Sequence, residues 1–147
     1  MLQKLVITSD HAGFSLKKSL ADYLRAKGFD VLDLGPSTGD ISVDYPLQAE
    51  QLASEIKKDP SLKGIAVCGT GIGMSIAVNR YPFIRGALVY EPQAAQLARQ
   101  HNNANVLCLG GRITDTETAK VLVDTFLTTD FEGGRHERRV NELGGLK

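Results

Sequence analysis

Five short runs of apolar, often β-branched residues alternate along the chain with longer segments whose apolar residues recur at helical spacing. Such alternation commits a chain to βαβ units, with strands buried on both faces of a parallel sheet and connecting helices covering them. The predicted strands are Lys4 to Thr8, about Asp30 to Leu34, Gly64 to Cys68, about Arg85 to Tyr90, and Val106 to Leu109. Between them, helices are predicted from about Phe14 to Lys27, stopped by Gly28, and over 44–59, with Pro46 near the start and Pro60 beyond the end. A short helix follows to about Arg80, then one from about Pro92 to Gln100 and one from about Thr116 to Thr128, after Thr114 and Asp115.

With 147 residues, 42% of them hydrophobic, the chain has material for one substantial core, so a single domain over 1–147 is expected. The fold class is α/β, a three-layer sandwich on a five-stranded parallel sheet. Residues 130–147 are polar, basic around Arg135 to Arg139, and too few for a core of their own; they are expected to form an arm or short helix.

Lysine plus arginine (17) balances aspartate plus glutamate (17), which removes the broad positive field of a nucleic-acid binder and makes any anion site local. The first residues carry no cleavable signal pattern, and no stretch reaches the roughly 18 apolar residues that span a bilayer, so a cytoplasmic protein is expected. Cys68 and Cys108 stand 40 positions apart without a CxxC or neighbouring histidine pattern, indicating neither zinc nor disulfide.

In open α/β sheets, ligands bind beyond the carboxyl ends of the strands. Ser9, Asp10 and His11 follow the first strand; Cys68, Gly69, Thr70, Gly71 and Gly73 follow or end the third; Glu91 follows the fourth; His101 and Asn102 precede the fifth. The glycines of CGTGIG allow a tight turn that aims backbone N–H groups into one concavity, suited to an oxyanion or phosphate. The same loop also reads as a mere tight connection. A dinucleotide fingerprint fails, because the third glycine would fall at Ile72 counting from Gly69 and at Met74 counting from Gly71, and no Walker lysine follows.

Cys68, at a strand end beside oriented amides, is placed to be a base or nucleophile, whereas Cys108 within VLCLGG reads as an inert buried thiol. His101 reads either as a site residue or as an imidazole capping a helix that ends at Gln100. RHERR reads as a solvated charge cluster, or as a phosphate grip in which Arg135 and Arg139, four apart, share a helical face.

Together, SDHAG, DYP near position 45, CGTGIGMSIAVNR, RQHNNANVLCLGGR and FEGGRHERRV resemble, in order and over nearly the whole chain, the type-B ribose-5-phosphate isomerases. The resemblance implies a Rossmann-like subunit of a homodimer, sometimes a homotetramer, with active sites shared between subunits. Such a protein interconverts ribose 5-phosphate and ribulose 5-phosphate without metal or organic cofactor. Carried over by position, Cys68 resembles the base that moves a proton between C1 and C2. Gly69 to Gly73, including Ile72, match the loop that stabilises a cis-enediolate, and Thr70 and His101 match the ring-opening pair. Asp10, His11, Asn102 and Tyr45 match substrate contacts. Arg135, Arg139 and Arg112, with His11, match the phosphate ligands, and residues near His101 and Arg112 come from the neighbouring subunit in the family.

Some relatives use a glutamate as base at the position of Met74, so this chain resembles the cysteine type. Galactose-6-phosphate isomerases of the family divide the cysteine loop and the arginine arm between two different chains; both occur here. The open alternatives are the same chemistry on allose 6-phosphate, galactose 6-phosphate or a tetrose phosphate, and a non-catalytic sugar-phosphate or nucleotide-binding module.

Overall fold

The computed structural model describes residues 2–146; Met1 and Lys147, the two ends of the expected 1–147 domain and its arm, lie outside the described residues. Five strands, β1 (Lys4–Ser9), β2 (Asp30–Asp33), β3 (Lys63–Cys68), β4 (Gly86–Leu88) and β5 (Val106–Gly110), form one sheet in the order β2-β1-β3-β5-β4. Every pairing is parallel. Among the described residues, the six helices are α1 (Phe14–Ala26), α2 (Tyr45–Lys58), α3 (Ile72–Val78), α4 (Pro92–Asn102), α5 (Thr116–Thr128) and α6 (Arg135–Gly144). This is the α/β sandwich that the alternating pattern predicts, Rossmann-like as the resemblance implies, with the terminal arm folded as a helix.

The two cores follow from the period of two along each strand. Leu5 and Ile7, Ile65 and Val67, and Leu107 and Leu109 face a core completed by α1, α4 and α5, including Leu20, Ala95 and Phe126. Val6, Ala66 and Cys68, and Val106 and Cys108 face the opposite core under α2 and α3, with Leu52, Ile56, Met74 and Val78. Burial on both faces explains why these strands read as apolar runs without polar alternation. Cys68 and Cys108 therefore share a face.

Element ends differ from the sequence reading in places that matter. β4 is only three residues long, because at the sheet edge it has a ladder with β5 alone and no second neighbour to prolong it. α4 continues past Gln100 to Asn102 and closes on Asn103, which adopts a left-handed conformation (φ 48°). His101 thus occupies the last helical turn of α4 instead of following its end. A buried ammonium, Lys17 on α1, reaches Asp33 Oδ1 (2.8 Å) and the Pro36 carbonyl (2.6 Å), tying the segment after β2 to the layer above the sheet. Among the described residues, no helix is long and apolar enough to cross a membrane.

Candidate active site

The sheet order reverses between β1 and β3, since β1 is followed outward by β2 on one side and β3 by β5 on the other. Crevices in such sheets open at that switch point, at the carboxyl ends. Cys68 ends β3 there, and the segment after β1 crosses beside it: the Asp10 N–H donates to the Val67 carbonyl (3.1 Å). Asp10 is 7% exposed, and its Oδ1 accepts the N–H of Gly13 (2.9 Å), which fixes the carboxylate beyond the carboxyl end of β1. His11 Nδ1 accepts the N–H of Val43 (3.2 Å).

The loop after Cys68 is built around its sulfur. The Gly71 N–H donates to Cys68 Sγ at 3.1 Å, and the Ile72 N–H donates to Thr70 Oγ1 at 3.2 Å. Gly71 sits at φ +82°, a conformation costly for any residue with a Cβ, and a Cβ there would stand 2.9 Å from the Leu109 carbonyl carbon. Gly73 is required for a different reason: the Tyr45 ring lies 2.8 Å from where its Cβ would be, so only a bare backbone lets the tyrosine close over the loop. On the other flank, the Arg112 N–H donates to the Gly69 carbonyl (2.9 Å), and its guanidinium lies against Gly69.

Cys68 and Cys108 differ in environment although both belong to the same core. Cys108 is completely enclosed, and burial, reinforced by the neighbouring Cys68 sulfur, pushes its thiol far above the usual range, leaving a neutral, inert group. Cys68 retains 4% exposure at the strand end, where the Gly71 amide meets its sulfur. Met74, also fully buried, offers no ionisable group at its position.

The remaining predicted site residues gather elsewhere. α4 starts after the carboxyl end of β4 and runs back, so His101 and Asn102 precede β5 at the amino edge of the sheet. Val106 pairs with Gly64 and Gly110 with Cys68, so the strand from one edge to the other covers about 13 Å at ~3.3 Å per residue. At that far edge, the Glu132 N–H donates to the Gln100 carbonyl (3.1 Å) and the His136 ring stacks on His101 with centroids 4.3 Å apart. Arg135 and Arg139 are exposed on α6.

One chain therefore assembles Asp10, His11, Tyr45, Cys68 to Gly73 and Arg112 at the carboxyl edge, and His101, Asn102, Arg135 and Arg139 at the opposite one. Arg112 lies beside its own chain's cysteine loop, because β5 is the direct sheet neighbour of β3. Three neighbours of these residues escaped the sequence reading. Tyr90 donates its hydroxyl to the Thr70 carbonyl (2.7 Å), and Glu132 and His136 surround His101. His136 lay in view within RHERR, but nothing in the spacing of a single chain relates it to a histidine 35 positions earlier.

Comparison with known proteins agrees with this architecture. The sequence matches the Ribose/Galactose Isomerase family over residues 5–143. It is 47% identical over 141 residues to a probable ribose-5-phosphate isomerase B of Mycoplasma genitalium, covering 95% of this chain and 92% of the relative. It is 40% identical over 146 residues to ribose-5-phosphate isomerase B of Escherichia coli, covering 99% and 97%. Among solved structures, it is similar to a ribose 5-phosphate isomerase of Thermotoga maritima, with a TM-score of 0.95 at 49% identity over 98% of this chain and 99% of that one. A Mycoplasma genitalium ribose-5-phosphate isomerase B with bound ribulose-5-phosphate superposes with a TM-score of 0.94 at 43% identity, covering 99% and 96%. With its fold, its glycine loop and its arginine arm all present in one chain, this protein belongs to the Ribose/Galactose Isomerase family.

Proposed function

We propose that this isomerase interconverts D-ribose 5-phosphate and D-ribulose 5-phosphate through a cis-enediolate, with Cys68 as the base and without a metal ion. The observation that carries the reading is the Gly71 N–H held 3.1 Å from Cys68 Sγ at the switch point of the sheet, a contact that a thiolate accepts more strongly than a thiol. Ribose phosphate is favoured over six-carbon and tetrose phosphates by the relatives named for it, including one with ribulose-5-phosphate bound.

In the aldose-to-ketose direction, the Cys68 sulfur takes the proton from C2 of the open-chain sugar. The C–H electron pair becomes the C1–C2 double bond, and charge moves onto O1. The amides between Gly69 and Gly73, with the Ile72 segment, supply donors for that oxygen. The hydroxyl proton passes from O2 to O1, and the thiol returns its proton to C1, so the reaction balances with no net change in the enzyme. Thr70 and His101 open the sugar ring beforehand; Asp10, His11, Tyr45 and Asn102 hold the hydroxyls; and Arg112, Arg135 and Arg139 take the phosphate, whose remote binding orients the reacting carbons.

Because His101 and the arginine arm stand a sheet's length from Cys68 of their own chain, the complete site requires a second copy, and a homodimer with shared sites is the simplest closed arrangement. Two free thiols suit a reducing cytoplasm. Full turnover of ribose 5-phosphate in the presence of a strong chelator is expected; loss of activity on chelation, restored by metal, would remove the metal-free mechanism. A non-catalytic module would bind the sugar phosphate without turning it over. Arg135→Ala or Arg139→Ala is expected to raise KM about tenfold, from one lost charged hydrogen bond, with kcat changed much less. Unchanged steady-state kinetics in both variants would take the arm out of the site.

A further inference from the structure

The reaction described above uses His101 but neither Glu132 nor His136, yet one ligating atom from each of the three lies within 4.8 Å of the others. His101 Nε2 and Glu132 Oε1 are 3.4 Å apart, about the spacing of two ligands each ~2.1 Å from one tetrahedral metal ion. The cluster is held by main chain, since Glu132 is tied to the last turn of α4 through its N–H to Gln100, and His136 is on the first turn of α6.

We propose that His101, Glu132 and His136 form a binding site for a divalent transition-metal ion of the zinc class, which inhibits the isomerase by capturing the imidazole of His101. The inhibitory effect rests on the assignment of His101 to ring opening; the binding itself does not. Two nitrogens and one carboxylate oxygen leave a fourth position for water, the usual open zinc set. The two imidazoles stack with 15° between their planes, so one ion cannot lie in both, and binding turns one ring out of the stack. His136 is the ring that moves, because among the described residues its Nε2 is restrained only by a long 3.5 Å contact from Arg135 Nε, whereas Glu132 already faces His101 Nε2.

The charges nearby select the metal. Arg135 beside His136, and Arg139 one turn further along α6, oppose any cation. An ion bound through charge alone, such as Mg2+ or Ca2+, gains too little from a single carboxylate against two guanidiniums. Zn2+, Ni2+ and Cu2+ bond strongly to neutral imidazole and tolerate that field. An ion held on His101 Nε2 occupies the lone pair through which the ring would exchange a proton with the sugar.

The test is calorimetric titration of ZnCl2 into the full-length protein and into Glu132→Gln, His136→Ala and Cys68→Ser, together with Co2+ absorption spectra and rates measured with and without chelator. About one ion per chain is expected, with affinity at least tenfold weaker in Glu132→Gln and in His136→Ala and unchanged in Cys68→Ser. The Co2+ spectrum should lack a thiolate charge-transfer band. Zinc should inhibit the wild type, chelator should reverse it, and each ligand variant, scaled to its own metal-free rate, should need at least tenfold more zinc. No binding, binding indifferent to both ligand variants, or binding lost with Cys68→Ser would overturn the site, and binding without inhibition would overturn the capture of His101. Each of these results leaves metal-free turnover standing, which fails separately if chelator abolishes activity.

Discussion

Cys68→Ala is expected to lower kcat for ribose 5-phosphate by roughly a thousandfold, within the 10²–10⁴ range that a positioned proton-transfer group contributes. KM should change little, because the phosphate and hydroxyl contacts lie on other residues. The cost in stability should be modest, about 1 kcal/mol, since one sulfur leaves a small gap at the end of β3 and no backbone contact depends on it except the Gly71 N–H. Cys108→Ala provides the matched control: it also removes a buried sulfur from the same core, but its thiol is held neutral and fully enclosed, so kcat should be retained. Equal losses in the two variants would mean that packing, not the Cys68 sulfur, supports turnover.

Gly71→Ala should be strongly damaging although it leaves every side chain of the site intact. A methyl group there must accept φ +82° and would stand 2.7 Å from Leu88 Cδ1 and 2.9 Å from the Leu109 carbonyl carbon. The leucine side chain can yield, but the β5 backbone cannot, so the loop itself shifts. Left-handed strain and the displaced loop together should cost about 2–4 kcal/mol of stability. The same shift withdraws the amide from Cys68 Sγ and disorders the donors meant for the enediolate oxygen, so kcat should also fall about a hundredfold, as when one oxyanion donor is lost. Thermal denaturation and steady-state rates on the same preparation separate the two effects. A variant as active as the wild type would show that the reaction does not depend on this turn.

The fold was legible because burial on both sheet faces makes each strand an uninterrupted apolar run, while the helices keep one wet face and hence a period. β4 is the weakest of these signals, and the residues around it, from Arg85 to Tyr90, extend beyond the three that actually pair. The cysteine loop was equally readable, since Cys68 to Gly73 are contiguous and their chemistry depends on local backbone turns. Its partners across space were not. Tyr90 reaches the Thr70 carbonyl only because β4 lies at the sheet edge beyond β5, and no spacing rule relates positions 70 and 90. His101, Glu132 and His136 meet only because α6 folds back onto the end of α4. That His101 and Asn102 stand at the opposite edge from Cys68 was legible, since residues that precede a strand of a parallel sheet lie at its amino end, but the packing of α6 beside them was not.

The most direct test of Cys68 as the proton carrier is isotope exchange in D2O with ribose 5-phosphate. Wild-type enzyme should introduce solvent deuterium at C2 of the recovered aldose, while Cys68→Ala, still binding the sugar phosphate, should introduce none above the uncatalysed level. Deuterium incorporation by Cys68→Ala at the wild-type rate would contradict the assignment and move the base to another residue.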